Sequence, residues 1–123
     1  MIITLPWPDS RLNPNQSKGM HWAATASLRK SAKASGHFLT MKALRETGAV
    51  RAGFQKAPAP VPLTITFVQP DRRARDRDNL LAALKPALDG VANALGINDS
   101  EFEPITIKRE YGGKPGSVRV EIA

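Results

Sequence analysis

The 123-residue sequence contains no cysteine and only two histidines, His21 and His37. The absence of cysteine excludes disulfide bonds, zinc–thiolate sites and cysteine nucleophiles. The two histidines have no partner motif, so we interpret both as structural residues. No apolar run approaches the roughly 20 residues of a membrane-spanning helix, and no charged segment followed by an apolar one opens the chain. We therefore expect a soluble, cytoplasmic protein that contacts no membrane.

Acidic residues are scarce in the first half of the chain. Residues 1–60 contain nine lysines and arginines against two acids, whereas residues 61–123 contain nine of each. The formal net charge of +7 therefore comes from the first half. It favours a polyanionic partner, with nucleic acid ahead of a membrane surface. The length predicts a single domain, residues 1–123, with one modest hydrophobic core.

The pattern of apolar residues predicts an α/β domain of α+β character, with a small mixed four-stranded sheet and two helices in the order β-α-β-α-β-β. Strands are predicted at residues 1–5, 63–68, 105–110 and 117–122, and helices at residues 22–47 and 78–96. Gly112–Gly116 predicts a hairpin between the last two strands. Pro86 predicts a kink or a broken first turn near residue 82. The buried stripe of the first helix is predicted to be Leu28, Ala32, Ser35, Phe38, Leu39 and Ala43.

The strand ending at residue 68 leads into Asp71-Arg-Arg-Ala-Arg-Asp-Arg-Asp-Asn79, where aspartates lie among four arginines. In an extended chain Asp76 and Asp78 point to the same side, roughly 6.5 Å apart along the chain. That spacing suits one or two hard cations, and arginine grips phosphate oxygens in a two-pronged way. Oxygen-only ligands favour Mg²⁺ or Mn²⁺, which activate water for displacement at phosphorus. The segment therefore predicts a metal site held against a phosphodiester.

Alternatives remain open for this segment. Asp76 and Asp78 are also explained as partners of neighbouring arginines on a solvated loop, with Asp78 as the N-cap of the following helix. Asp99, in the acidic turn after that helix, is the candidate third carboxylate, with Glu101 and Asp89 in reserve. If the helix runs antiparallel to the strand before it, Asp99 reaches Asp76 only through a kink or through the partner chain of a dimer.

Three segments together resemble the RusA family of Holliday-junction resolvases. They are Pro70–Leu80 with its Asp-x-Asp-Asn-Leu core, Lys85-Pro-Ala-Leu-Asp-Gly90 and Asn98-Asp-Ser100. Leu5-Pro-Trp-Pro8 is similar to the family's first strand and loop, so the resemblance covers nearly the whole chain. It implies a homodimeric, Mg²⁺- or Mn²⁺-dependent endodeoxyribonuclease of DNA recombination and repair. Such an enzyme binds four-way DNA junctions and cuts two opposed strands symmetrically.

The resemblance assigns Asp76, Asp78 and Asp99 as the metal ligands and catalytic carboxylates. The family's catalytic lysine follows the second aspartate by one helical turn, a position that Ala82 occupies here. We therefore predict that Lys85, about one turn later, contacts the scissile phosphate. The residues predicted to neutralise DNA phosphates are Arg72, Arg73, Arg75, Arg77, Arg11 and Lys18.

Other roles are possible for several of these residues. Lys85 is also explained as a solvated partner of Asp89 at i+4. Trp7 and Trp22 are interpreted as core or interface anchors, with stacking on junction bases as the alternative. No small-molecule cofactor is expected. The rival functions are a non-catalytic accessory protein that recognises branched DNA and, more remotely, a metal-dependent phosphotransferase or phosphatase acting on small molecules.

Overall fold

The computed structural model of the chain describes residues 1–13, 22–47 and 59–122. Within these residues it has the strands β1 (Ile2–Pro6), β2 (Val61–Gln69), β3 (Phe102–Tyr111) and β4 (Ser117–Ile122), and the helices α1 (Trp22–Glu46) and α2 (Arg77–Leu95). Two 3₁₀ helices, Ser10–Leu12 and Asp99–Glu101, lie in connecting segments. The predicted fold class, a small α+β domain with two helices and a mixed four-stranded sheet, is confirmed. Residues 49–62, whose three prolines predict a connector before β2, lie mostly outside the described residues.

β4 lies inside the sheet instead of beside β3. The strand order is β1-β4-β2-β3, with β4 antiparallel to β1 and β2 and with β3 parallel to β2. The predicted hairpin is therefore wrong, because Gly112–Gly116 connects two strands that are not neighbours. Burial explains the order: Val118 and Val120 are fully buried between β1 and β2, whereas β3 is mostly exposed. A glycine-rich turn indicates a chain reversal, but apolar burial decides which strand becomes the neighbour.

One face of the sheet carries the core. Alternate residues of a strand share a face, and the apolar set of β2, namely Leu63, Ile65 and Phe67, is almost completely buried. Both helices contribute to the same cluster, α2 with most of its apolar side chains and α1 with Leu44. The parallel connection from β2 through α2 to β3 places the start of α2 beside the end of β2. That arrangement sets the position of the Asp and Arg residues.

The two helices touch through glycines. A Cβ added at Gly36 would overlap the carbonyl oxygen of Ala87, and one added at Gly90 would overlap the carbonyl oxygen of Lys33. Any larger residue would separate the helices. The predicted stripe of α1 is wrong at Phe38, which is exposed. Its buried line instead passes through Gly36, Thr40 and Leu44.

α2 begins and ends at recognisable caps. It begins at Arg77, one residue before the predicted start, and it ends at Gly96, which adopts a left-handed conformation. The helix is continuous through Pro86 from Arg77 to Leu95. Proline removes a single backbone hydrogen bond, and the buried apolar face of α2 holds the two halves together.

Candidate active site

A cleft of about 680 Å³ opens where β2 ends and α2 begins. Three stretches of chain that are distant in sequence form its walls: the loop after β1, residues 70–76 with the first turn of α2, and the β3–β4 connection. We call residues 70–76 the Asp–Arg loop. Side chains at the cleft include Trp7, Asp9, Asp71, Arg73, Asp76 and Lys114. The cleft is therefore bordered by charges of both signs.

Arg75 holds the Asp–Arg loop from inside. Its Nη1 and Nη2 donate to Oδ1 and Oδ2 of Asp71 over 2.8 and 3.1 Å. Its guanidinium also lies 5.3 Å from the centroid of the Trp7 ring, and only 16% of its side chain is exposed. The hydrogen bond from Arg75, followed by that from the backbone N–H of Arg73, lowers the pKa of Asp71 from 3.8 to about 2. Asp71 and Arg75 therefore act on the shape of the loop.

The loop is also fastened to the core and to β3. The Trp7 ring packs edge-on against Phe67, with 6.1 Å between ring centroids. Nη1 of Arg109 donates to the carbonyl oxygen of Arg75 over 3.0 Å. The backbone N–H groups of Gly112 and Gly113 both donate to the carbonyl oxygen of Gln69, at the end of β2. Asp76 is thus the last residue of a loop that is tied to β3 and, through Trp7, to the core.

Asp76 is the N-cap of α2. Its backbone is extended, and its Oδ1 accepts a hydrogen bond from the N–H of Asp78 over 2.8 Å. Asp78 lies in the first helical turn, so the prediction of Asp78 as N-cap in an extended segment is wrong. The helix starts earlier because Asp76 satisfies an N–H group that would otherwise lack a partner. Both aspartates are exposed at the positive end of the helix dipole.

A second charged group lies further along α2. Nζ of Lys85 is 2.9 Å from Oδ2 of Asp99, and Asp89 lies beside this pair. The hydrogen bond from Lys85 lowers the pKa of Asp99 and raises that of Lys85. Burial, with a smaller contribution from the Asp99 charge, raises the pKa of Asp89. The direct partner of Lys85 is therefore Asp99, and Asp89 supports the pair.

The two groups lie apart in the chain fold. Seven residues of helix separate Asp78 from Lys85, which is about 10 Å. The 3₁₀ helix that begins at Asp99 leads directly into β3, whose first residue pairs with the start of β2, whereas the Asp–Arg loop follows the end of β2. In the part of the chain that the structure describes, no three Asp, Glu, His or Cys side chains lie close enough to hold a metal ion. One chain therefore does not bring Asp99 to Asp76 and Asp78.

A smaller metal site fits the residues that are present. Mg²⁺ is commonly held by one or two carboxylates together with phosphate oxygens of the substrate and water. Asp76 supplies one such carboxylate at the cleft, since its Oδ1 is occupied by the helix cap and its other oxygen has no hydrogen bond from the described residues. Asp78 lies in the first helical turn and does not line the cleft, so the same-side placement predicted for an extended chain does not hold. Asp99, which is paired with Lys85, does not fit the same ion in this arrangement.

The arginines predicted to contact DNA fall into two groups. Arg11 is paired with Asp9 through two hydrogen bonds of 3.0 and 2.9 Å, and Arg75 is paired with Asp71. Arg72 and Arg77 form no ion pair within residues 1–13, 22–47 and 59–122, and Arg73 makes only a long contact of 3.6 Å with Asp71. Lys18 lies outside the described residues. The exposed arginines of this set without a short ion pair therefore all belong to the segment between β2 and the first turn of α2, close in sequence to Asp76.

Sequence reasoning missed some residues at this site. Asp9 and Asp71 line the cleft, and Arg109 fastens the loop. Asp71 had no helical pairing signal, because residues 71–75 lie in a loop and the i,i+4 rule applies to helices. Arg109 had no such signal, since only the parallel pairing of β3 with β2 brings it beside Arg75. Trp7 packs against the core through Phe67, as predicted for an anchor, and it also lines the cleft. The side chain of Trp22 lies outside what the structure describes.

Comparisons with known proteins add little about function. No family model matches the chain. The chain is similar to an uncharacterized protein of Xylella fastidiosa (strain Temecula1), with 38% identity over 104 residues. These residues are 81% of this chain and 61% of that protein, so the chain spans less than two thirds of that relative. Among the described residues, no helix is both long and apolar enough to cross a membrane.

Proposed function

We propose that the protein is a metal-dependent endonuclease of the RusA type, which resolves four-way DNA junctions during recombination and repair. The observation that carries the proposal is the cleft that Asp76, the N-cap of α2, lines together with the exposed Arg73. Carboxylates there can hold a hard cation, while the arginines and the helix N-terminus attract phosphate. The sequence resemblance supplies the substrate class. The net charge of +7 is consistent with a polyanionic substrate.

Asp76 and Asp78 are the proposed metal ligands. A Mg²⁺ ion, or Mn²⁺ in its place, would activate a water molecule and stabilise the leaving oxygen of the cut strand. Residues of the chain bind the phosphates and position the carboxylates. The first N–H groups of α2 favour negative charge beside Asp78, and Arg73 and Arg77 neutralise the flanking phosphates. Arg75 keeps the loop in the shape that presents Asp76.

Lys85 and Asp99 have a different place in the proposal. Lys85 is the candidate for a direct contact with the scissile phosphate, and in the free protein its ammonium is paired with Asp99. A phosphate oxygen that takes over Lys85 would release the carboxylate of Asp99. Asp99 would then become available as a further ligand, from the same chain after a movement of the acidic turn or from the other chain of a dimer.

A junction cleavage assay tests the proposal. A labelled four-way junction and a linear duplex of the same length are incubated with the protein in Mg²⁺, in Mn²⁺ and in EDTA. We expect paired cuts in the junction alone and only with a metal. Asp76→Asn and Asp78→Asn should abolish the cuts and leave junction binding intact, because both asparagines keep the shape of the side chain. Wild-type cleavage by either variant would contradict the metal assignment.

The second candidate is a non-catalytic protein that recognises branched DNA. It is favoured by the absence of a three-carboxylate group within the residues that the structure describes. Tight junction binding without cleavage in either metal would establish it. A small-molecule phosphotransferase is the weaker rival. Its substrate binding should respond weakly to salt, whereas the affinity for DNA should fall steeply as salt rises.

We also propose that the protein acts as a homodimer. A four-way junction with two-fold symmetry presents two equivalent phosphates, and a two-fold protein can engage both at once. Sedimentation equilibrium across a range of protein concentrations measures the assembly state. A strict monomer that still makes paired cuts in a junction would contradict this part of the proposal.

A further inference from the structure

Tyr111 is an exposed aromatic residue beside the cleft. It is the last residue of β3, and 51% of its surface remains accessible. Its backbone lies in register with Gln69, the residue that precedes the Asp–Arg loop. The N–H groups of Gly112 and Gly113 donate to the carbonyl oxygen of Gln69. The ring therefore stands on a backbone that is fastened to the end of β2.

Arg72 stacks on this ring. Its guanidinium carbon lies 4.3 Å from the centroid of Tyr111, within the usual range of a cation–π contact. Among the described residues no carboxylate pairs with Arg72 in a salt bridge. Arg72 lies between Asp71 and Arg73, which both line the cleft. Arg72 is thus the sequence neighbour of two residues of the cleft wall, and Tyr111 stacks on it.

Other cations surround the pair. Arg109 shares the face of β3 with Tyr111, because alternate residues of a strand point the same way. Arg73 leaves 79% of its side chain exposed, and Lys114 follows in the β3–β4 connection. Asp71, the nearest acid of the Asp–Arg loop, is already neutralised by Arg75. Glu110, which precedes Tyr111 and points to the other face of the strand, is paired with Arg119 over 3.3 Å. The charged residues on the side of the ring are therefore mainly positive, and the aromatic ring is exposed among them.

We propose that Tyr111 and Arg72 form a stacking platform for an unpaired DNA base next to the cut site. An exposed aromatic ring with a planar guanidinium and neighbouring exposed cations fits the combination that binds single-stranded nucleic acid, in which bases stack and the backbone is neutralised. Paired bases inside a duplex are not available for such stacking, whereas bases at a branch point can be exposed. The platform would thus contribute to the preference for branched DNA. This inference rests on the proposed function, since it presupposes a DNA substrate.

Substitutions at Tyr111 and Arg72 test the platform. The probes are a four-way junction with 2-aminopurine at the branch point and a linear duplex of the same composition, and the readouts are fluorescence and dissociation constants. Tyr111→Leu should weaken junction binding by about tenfold or more, as expected for the loss of one stacked base. Tyr111→Phe should bind like the wild type. Arg72→Lys, which keeps the charge without the planar group, should fall between them. Wild-type protein should quench 2-aminopurine, and Tyr111→Leu should not.

Ile105→Ala is the matched control, because Ile105 is another exposed apolar residue of β3 and is 41% accessible. It should bind the junction like the wild type. If wild-type protein binds the junction and Tyr111→Leu binds equally well, the platform is refuted while the proposed function stands. If Tyr111→Leu instead changes the assembly state in sedimentation, the ring belongs to a protein interface and the platform is again refuted. If wild-type protein binds neither DNA, the proposed function fails and the platform with it.

Discussion

The two ends of α2 carry similar acidic residues in different electrostatic conditions. At the N-terminal end, Asp76 and Asp78 are exposed, and their main polar contact is the helix cap between them. Nearer the C-terminal end, Asp99 is paired with Lys85 at 2.9 Å, and Asp89 is partly buried beside them. One pair of carboxylates is open to a cation from solution. The other already has its counter-charge within the protein.

This difference in charge compensation indicates which acidic residues can bind a metal ion. Sequence spacing identifies acids that can meet, but an acid is useful for binding a metal only if its charge is not already compensated. The same rule separates the arginines, since Arg75 and Arg11 are paired internally while Arg72 and Arg77 are not. The open charges of both signs lie at the same end of α2. That coincidence is why we place the chemistry there.

The largest expected effect comes from neutralising Asp76 or Asp78, the carboxylates without an ion pair among the described residues. Asp76→Asn should lower the cleavage rate at least about 100-fold, because a metal ion contributes several kcal/mol to the reaction. Asparagine caps helices as well as aspartate does, so the melting temperature should stay close to that of the wild type. Asp99→Asn is the comparison within the other group, and we expect a smaller loss. Equal losses in both variants, with folding intact, would show that the acidic turn reaches the same site.

A larger residue at the contact between α1 and α2 tests how firmly the part of α2 that carries Lys85 and Asp89 is held in place. Gly90→Ala places a methyl group against the carbonyl oxygen of Lys33 and should reduce the free energy of unfolding by about 1–3 kcal/mol. Asn93→Ala, at an exposed position of the same helix, should change it by less than about 0.5 kcal/mol. Chemical denaturation measures both. A neutral Gly90→Ala would mean that α1 and α2 can move apart without loss, and that the close contact at Gly90 is not required for stability.

The arginines allow the rule to be tested on positive charges. Arg73→Gln and Arg77→Gln should each reduce the slope of log affinity against log salt by roughly 0.9, the value for one phosphate contact. Arg11→Gln should change the slope little, because its guanidinium is bound to Asp9. Fluorescence anisotropy with a labelled junction at several salt concentrations gives the slopes. Equal changes in all three variants would contradict the distinction between paired and unpaired arginines.

The smallest expected effect concerns the contribution of Lys85, Asp89 and Asp99 to the free energy of unfolding. Because the folded pKa of Asp99 lies below 3.8, its contribution is present above pH 3.8 and is lost as pH falls through the lowered value. Asp89 acts in the opposite sense, because its folded pKa is raised: its contribution is complete below pH 3.8 and is lost as pH rises through the raised folded pKa. Lys85→Met should therefore reduce stability by less than about 1 kcal/mol at neutral pH, and should lose that difference in acid. Thermal melts at pH 7 and pH 3 measure it. A larger loss at pH 3 than at pH 7 would contradict the pairing.

Local patterns predicted the elements well and their neighbours poorly. The alternation in β2 and the apolar spacing in α2 are local signals, and both elements formed within two residues of the predicted bounds. The helix cap was predicted at Asp78 and lies at Asp76, because the two aspartates are equally good caps by residue type. The continuity of α2 through Pro86 depends on packing against the sheet and α1, which a local rule does not include. The hairpin prediction is wrong for the same reason, because the position of β4 between β1 and β2 depends on packing in the whole sheet.

The sequence alone determined the number and order of the elements, the excess of positive charge and the Asp–Arg segment after β2. These follow from side-chain chemistry and from spacings of a few residues. Only the tertiary structure decided which charges remain open. Arg109 reaches the loop through strand pairing, Lys85 takes Asp99 across a helix and a turn, and Tyr111 stands beside Arg72 because β3 runs parallel to β2. Such contacts join residues far apart in the chain, and the core that brings them together is a property of the whole fold.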